Sequence, residues 1–314
     1  MENMQRKKVA KFPFFKKINL LIYTVTINVV IIPSWVSLPF CASFKDSLGR
    51  GIILKDQPER IISLAPSITE ILFFLGLGDR VVGVTRFSYY PTEATLKPKV
   101  GSYINVNVEK IISLSPDLVI GTADGNNPGV VNLLEQAGIP VFIVNPRNLR
   151  QVIETIAILG RVCGLPEKAR SLSDGLSRRV DEILEKTRDR KKPLVFLQIN
   201  LKPIMTVNKH TFHHDLINLA GGRNMTENEP MTYPRISLEE VIKRKPEVII
   251  ISSMERGGRF EKARQGWSRW TSIPAVKNGR VHLIDSDLID RPSPRIIGGL
   301  EAMARIIHPE VKWD

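Results

Sequence analysis

The chain has 314 residues, 25% of them charged and 43% hydrophobic, with a formal charge of +13. That length leaves room for two cores of ordinary size, and the composition holds no low-complexity tract and only two cysteines, so fibrous, disordered and disulfide-stapled classes are excluded. Residues 1–43 hold six Lys/Arg and one Glu, which leaves +8 for the rest; those basic residues are scattered without an aromatic-interleaved stripe, so no nucleic acid is expected, and the charge suits an anionic ligand or a membrane surface.

Residues 1–43 read as an export signal peptide. Arg6, Lys7, Lys8, Lys11, Lys16 and Lys17 precede an apolar run from Ile18 to about Ile32, followed by SWVSLPFCAS. A retained anchor needs about 20 apolar residues, which Ile18 to Val36 just supplies. Removal is favoured because small residues follow and the composition turns globular by Lys45. The expected location is periplasmic or otherwise extracytoplasmic. Cys41-Ala42-Ser43 suits a cut after Ser43; Leu38-Pro39-Phe40-Cys41 only half resembles a lipoprotein box, so lipid anchoring at Cys41 is the less favoured alternative. Cys163, in ILGRVCG, reads as a buried packing residue.

A first lobe is expected over residues 59–165. IISLAPSITEILFFLGLGDRVVGV reads as strand, turn, helix, turn, strand. Ser67-x-x-Glu70 has capping-box spacing, and Gly76 stands where a left-handed residue ends a helix. Gly76-x-Gly78 closes a helix instead of opening one, which excludes a dinucleotide loop. RFSYYPTEA, KVGSYINVNVEKIISLSPDLVIGTADGNN and PVFIV continue the alternation of strand and helix, predicting a parallel α/β sheet with a crevice at the carboxyl ends of its strands. Tyr90, Tyr103 and Thr122 to Asn127 fall in such loops. A lone loop tyrosine is more often a packing residue, whereas several together make a ligand wall. Leu149 to Cys163 follows as a helix, stopped by Gly164.

Residues 166–191 are expected to form a linking helix. PEKARSLSDGLSRRVDEILEKTRDR sets Ala169, Leu172, Leu176, Val180, Ile183 and Leu184 at helical spacing, and spans roughly 35 Å at 1.5 Å per residue. Its start at Pro166 and Gly175 are the places where bending is expected. The segments on either side of it are versions of one another: VNVEKIISLSPDLVI (Val106 to Ile120) and ISLEEVIKRKPEVII (Ile236 to Ile250). The second lobe, residues 192–314, repeats the plan with KPLVFLQIN, a helix from Phe212 to Ala220, a stop at Gly221-Gly222, the repeated helix and strand, and GRVHLID. The expected fold class is therefore α/β, with two lobes that each hold a central, mostly parallel sheet flanked by helices.

Ser237-x-x-Glu240 is a second capping-box spacing and leaves Glu239 at the second helical position; with Asn107 as N-cap, Glu109 holds the same place in its own lobe. Such matched carboxylates either stabilise helix N-termini, by about 0.3–1 kcal/mol each, or serve as symmetric docking points. KHTFHHDL groups His210, His213, His214 and Asp215. His210 and His214, four apart, are able to share a metal on one helix face; the plainer reading is a polar first turn near the cleft, because a further ligand is needed and only His282 and His308 remain. No resident metal or cofactor is expected.

RIISLAPSITEILFFLGLGDRVVGV, YYPTEA, NVEKIISLSPDLVI, AGIPVFIV, DLINLAGGRN, ISLEEVIKRKPEVIII, WTSIPAVKNGRVHLID and RPSPRII run in order from about Arg60 to Pro309. Together they resemble the metal-chelate class of periplasmic substrate-binding proteins, which serve ABC importers of cobalamin, haem and ferric siderophores. The resemblance implies the fold in which one long helix joins the lobes. YPTEA, VFLQ and DSDLIDRPSPRII are most similar to cobalamin-binding members, which implies cobalamin or another corrinoid as ligand, with Tyr90, Tyr103, Tyr233, Asp287 and Arg291 against it. Tyr103 and Tyr233 stand where tryptophan is common, and Thr122 and Ile199 where larger aromatic residues are common, so a different corrinoid, a ferric siderophore or haem stays open. Asp287 and Arg291 otherwise read as a salt bridge worth well under about 1 kcal/mol when exposed, and Pro292 and Pro294 argue against a regular helix there. The resemblance also implies that Glu109 and Glu239 contact arginines of a permease dimer and that the protein is a monomer. An enzyme is not expected: no Gly-x-Ser-x-Gly elbow, phosphate loop or His-Glu-x-x-His occurs.

Overall fold

The computed structural model describes residues 42–252 and 259–313. The expected signal peptide and the lipid site at Cys41 lie outside these residues, apart from Ala42 and Ser43, which open the first strand. A short antiparallel hairpin, β1 (Ala42–Lys45) and β2 (Gly51–Leu54), precedes the first lobe. It is strapped to that lobe by Asp46, whose carboxylate holds Arg50, while Arg50 reaches Glu135 at 2.7 Å and the Val141 carbonyl at 3.1 Å.

The first lobe runs β3 (Ile61–Ser63), α1 (Pro66–Phe74), β4 (Val81–Val84), α2 (Val108–Ser113), β5 (Leu118–Thr122), α3 (Pro128–Gln136), β6 (Val141–Val144) and α4 (Leu149–Val162). The long helix α5 (Pro166–Thr187) follows, 22 residues without a break. The second lobe runs β7 (Leu194–Gln198), α6 (Phe212–Leu219), β8 (Arg223–Asn224), α7 (Leu238–Arg244), β9 (Val248–Ile251), α8 (Arg259–Trp267), α9 (Pro274–Lys277), β10 (Val281–Leu283), α10 (Ser286–Ile289) and α11 (Ile296–Ile307). The two four-stranded sheets have the orders β4-β3-β5-β6 and β8-β7-β9-β10, all parallel. Each lobe thus repeats the other strand for strand. The repeat seen in the sequence is α2-β5 in one lobe and α7-β9 in the other, and each of these strands is internal to its sheet.

The internal strands are buried on both faces, as parallel strands are when helices cover them. Alternate residues point to opposite sides. Ile61, Leu118 and Ile120 join Val195, Leu197, Val248 and Ile250 in one core that also takes in α1, α4, α5, α6 and α11. Ile62, Val119 and Val141 face outward to a separate cluster with Ile111 of α2 and Leu134 of α3. Phe196, Ile249 and Ile251 do the same in the second lobe, with Val241 of α7 and Trp267 of α8. The central core is therefore shared by both lobes. Cys163 lies in it, fully buried, and burial pushes its thiol up to about 12.

Local signals terminate the helices as the sequence suggests. Gly76, Gly164 and Gly221 all have positive φ (76°, 76° and 80°), the left-handed geometry that ends a helix without a Cβ penalty. Asn107 caps α2, accepting from the Lys110 N–H at 2.8 Å. The Ser67–Glu70 capping box does not form. Pro66 opens α1, so Ala65 is the N-cap and Ser67 is already inside the helix, too late to cap it. At the start of α7, half of the expected box forms: Ser237 accepts from the Glu240 N–H at 3.2 Å, but the Glu240 carboxylate is held by Arg244 at 2.7 Å.

Candidate ligand-binding cleft

Tyr103 and Tyr233 come from opposite lobes and are brought together. Tyr103 lies in the loop before α2, where its hydroxyl pairs with the Thr122 side chain at the carboxyl end of β5. Asn126 fixes the surrounding turn: its Nδ2 donates to the Tyr103 carbonyl at 3.0 Å and its Oδ1 accepts from the Thr122 N–H at 2.7 Å. Gly125 packs beneath the ring, and a Cβ there would overlap it. Tyr233, in the loop before α7, is edge-on to His213, with ring centroids 6.5 Å apart. Both phenols sense the ion pair of Asp124 and Arg147, 2.7 Å long. Burial pushes the Tyr103 phenol up to about 12 and raises that of Tyr233, so both stay protonated at neutral pH. Each lobe therefore brings one aromatic ring with a neutral hydroxyl tip within electrostatic reach of the other.

A second group forms around Glu70. Its side chain, 2% exposed, accepts from Arg291 Nη1 at 3.0 Å, Ser293 Oγ at 2.6 Å, and Arg295 Nε and Nη2 at 2.9 and 2.7 Å. Arg291 lies 4.4 Å over the Tyr89 ring and hydrogen-bonds its hydroxyl; Arg295 lies 4.0 Å over the Tyr90 ring. Asp287 is on α10, and Arg291 is two residues past its end, so the prolines do stop the helix between them. The two form a 3.4 Å ion pair, and the Tyr89 hydroxyl donates to Asp287 at 2.8 Å. Asp287 and Arg291 thus meet the tyrosine-proline loop chiefly through Tyr89. Tyr90 is more exposed and lines a cavity of about 970 Å³ with Phe73, Phe74, Leu288 and Arg295.

A smaller cavity, about 590 Å³, lies between Arg147 and Asn148 of the first lobe and Thr211, His214 and Asp215 of the second. Asp215 Oδ2 accepts from the Leu149 N–H at 2.7 Å, so a residue of one lobe meets an open N–H at the start of a helix in the other. His214 is within hydrogen-bond distance of the Asn218 and Asn224 amides, 2.8 and 3.3 Å, and burial lowers its pKa. His213 pairs with Asp290 at 3.1 Å, and His210 is exposed. Among the described residues no three His, Cys, Asp or Glu side chains gather to hold a metal ion. Ile199 is buried, directly after β7.

Glu109 and Glu239 occupy the second position of α2 and α7 and are exposed. The Glu239 carboxylate accepts from its own backbone N–H and from the Ser237 hydroxyl, which holds it below the usual carboxylate range. Sequence reasoning missed the roles of Glu70, Tyr89, Arg147, Arg295 and the His213–Asp290 pair, and named Asp124 only as part of the Thr122 to Asn127 loop. For Glu70 one signal was present, a lone carboxylate in the otherwise apolar run ITEILFF.

Residues 61–288 match the family described as periplasmic binding protein. The chain is 35% identical over 279 residues to an uncharacterised ABC transporter substrate-binding lipoprotein of Bacillus subtilis, YvrC, covering 86% of this chain and 87% of that one. The crystal structure of the periplasmic vitamin B12 binding protein BtuF of Vibrio cholerae superposes with a TM-score of 0.74 at 29% identity, over 81% of this chain and 98% of that one. The periplasmic haem-binding protein RhuT of Roseiflexus sp. RS-1 superposes with a TM-score of 0.71 at 26% identity, over 80% and 98%. This chain is therefore a member of the periplasmic binding protein family, built as two parallel α/β lobes joined by one long helix.

Proposed function

We propose that this protein is the extracytoplasmic substrate-binding component of an ABC importer and that it captures cobalamin or a related corrinoid between its lobes. The observation that carries the reading is the approach of Tyr103 and Tyr233 from opposite lobes, each with a neutral hydroxyl at its tip. Such surfaces offer broad, flat apolar area at small entropic cost and a polar handle at the edge, which suits a planar macrocycle. Asp287 and Arg291 add an acceptor and a donor, and Tyr90 offers a further exposed ring in the group around Glu70. The likeness to the Vibrio cholerae vitamin B12 binding protein favours a corrinoid among such macrocycles. The likeness to a haem-binding protein supports a second reading, haem or a ferric siderophore in the same cleft.

Glu109 and Glu239, exposed at equivalent places on the two lobes, are proposed to meet the two halves of a permease dimer. The protein acts as a monomer that returns its cargo unchanged. The decisive experiment is gel filtration of the purified protein after mixing with cyanocobalamin. Stoichiometric co-elution of the corrinoid absorbance is expected. Failure to retain it, with haem or a ferric siderophore retained instead, would replace the corrinoid reading by the second one.

A further inference from the structure

We infer that His213 is a ligand-contacting residue whose Nδ1 accepts a hydrogen bond from an N–H group of the cargo, the chemistry of a carboxamide and not of a carboxylate. The inference deepens the corrinoid reading and rests on it. His213 is the second residue of α6, and its side chain is 3% exposed. Its Nε2 lies 3.1 Å from Asp290 Oδ1, and Asp290 Oδ2 accepts from Ser252 Oγ at 3.1 Å. An ionised carboxylate has no proton to donate, so Nε2 carries the hydrogen, and in the neutral ring Nδ1 is left as a bare acceptor. That atom is buried and has no hydrogen-bond partner.

A buried polar atom left unmet works against folding, so native proteins rarely keep one without a use for it. The position of His213 suggests the use. Phe212 stacks on one side of the ring at 4.1 Å and Tyr233 abuts it edge-on at 6.5 Å, which sets the imidazole directly behind the second-lobe tyrosine of the cleft. Ser252 directly follows β9 and Asp290 directly follows α10, so the pair that orients the ring is built on the carboxyl edge of the second sheet. Among the described residues one other buried side-chain atom lacks a partner, Asn145 Oδ1. It directly follows β6, on the carboxyl edge of the first sheet. Each lobe therefore brings one unmet acceptor to the carboxyl edge of its sheet, where ligand crevices of parallel α/β sheets lie. A cargo fringed with carboxamides supplies donors to both, whereas one that offers only carboxylates leaves both unmet. Because Nδ1 is closed to solvent, a ligand reaches it only as the cleft wall moves, and Tyr233 is the wall residue against the ring.

The test compares binding of cyanocobalamin with binding of its monocarboxylic acids, in which a single peripheral carboxamide is hydrolysed, by isothermal titration to the full chain. Wild type is expected to bind at least one of these acids about tenfold more weakly than cyanocobalamin, the ratio one net hydrogen bond supports. His213→Phe should bind cyanocobalamin about tenfold more weakly than wild type and lose that discrimination, while His213→Gln, which keeps an amide acceptor and a donor for Asp290, should retain much of it. A merely structural role would weaken all the corrinoids equally and leave their ratios unchanged, and that result overturns the inference. Equal ratios in His213→Gln and wild type together with unchanged ratios in His213→Phe would do the same even if the phenylalanine variant is unstable. If wild type binds no corrinoid, the cobalamin reading fails first and this inference with it.

Discussion

Four hydrogen bonds converge on the Glu70 carboxylate, all from residues more than 220 positions later in the chain. A carboxylate held this far from solvent is stable only while its partners stay in place; removing one side of such a cluster strands the opposite charges. Glu70→Ala is therefore expected to cost about 3 kcal/mol in urea unfolding, and Glu70→Gln less, because the amide keeps an acceptor. A loss below about 1 kcal/mol for the alanine variant would mean that the arginines find other partners at little cost. Glu70 also marks the limit of what was legible in the sequence. The caps at Asn107 and Ser237 were readable because donor and acceptor are three residues apart. Glu70 has similar local spacing, yet its partners are supplied by the far lobe, and no local rule points to them. His213 and Asp290, 77 positions apart, were hidden for the same reason. The tyrosines at 103 and 233 were legible as candidates through the family resemblance, but their electrostatic reach across the lobes and the greater part played by Tyr89 than by Tyr90 near Asp287 depend on how the two lobes approach.

At the scale of elements, α4 and α5 pack tightly against each other, and Gly160 is what allows it. A Cβ built at Gly160 would overlap the Cβ of Ala169 and come within 3.2 Å of the Leu165 carbonyl. Gly175, the other interior glycine of this pair, has only the tip of Arg178 nearby, at 3.8 Å. The same substitution should therefore have opposite signs at the two sites. Gly175→Ala is expected to stabilise by about 0.5–1 kcal/mol, through helix propensity alone. Gly160→Ala gains the same propensity but overpacks, with an expected net cost of about 1–3 kcal/mol. Thermal unfolding of the two variants beside wild type decides the matter, and equal shifts would contradict the close packing. Gly175 does not interrupt α5, which is helical throughout Pro166–Thr187. Its ends are held as well, by α4 at the start and by α11 further along, where Arg179 reaches Glu301 at 3.4 Å.

For the molecule as a whole, the two-fold plan is the point of interest. Two sheets of the same strand order carry α2 and α7 at equivalent places, and each helix presents a solvent-exposed glutamate in its first turn. If these serve as docking points, Glu109→Ala with Glu239→Ala should leave cargo retention within about twofold of wild type while abolishing stimulation of transporter ATPase activity. That twofold limit reflects the usual small effect of surface substitutions away from a site. A loss of cargo affinity instead would mean that the two glutamates support the cleft.

The shared central core has a consequence for how the chain is made. Its apolar face in the first lobe is covered partly by α5, and α5 in turn by α11, which also packs on α6 and follows every other described helix along the chain. A chain interrupted at residue 165 holds every strand of the first sheet yet leaves the inner side of α1 and α4 without its cover. Two lobes that look like separate beads are thus expected to behave in the making as a single piece, with greasy surface exposed until the final turn of α11 arrives and a corresponding dependence on holding chaperones until then.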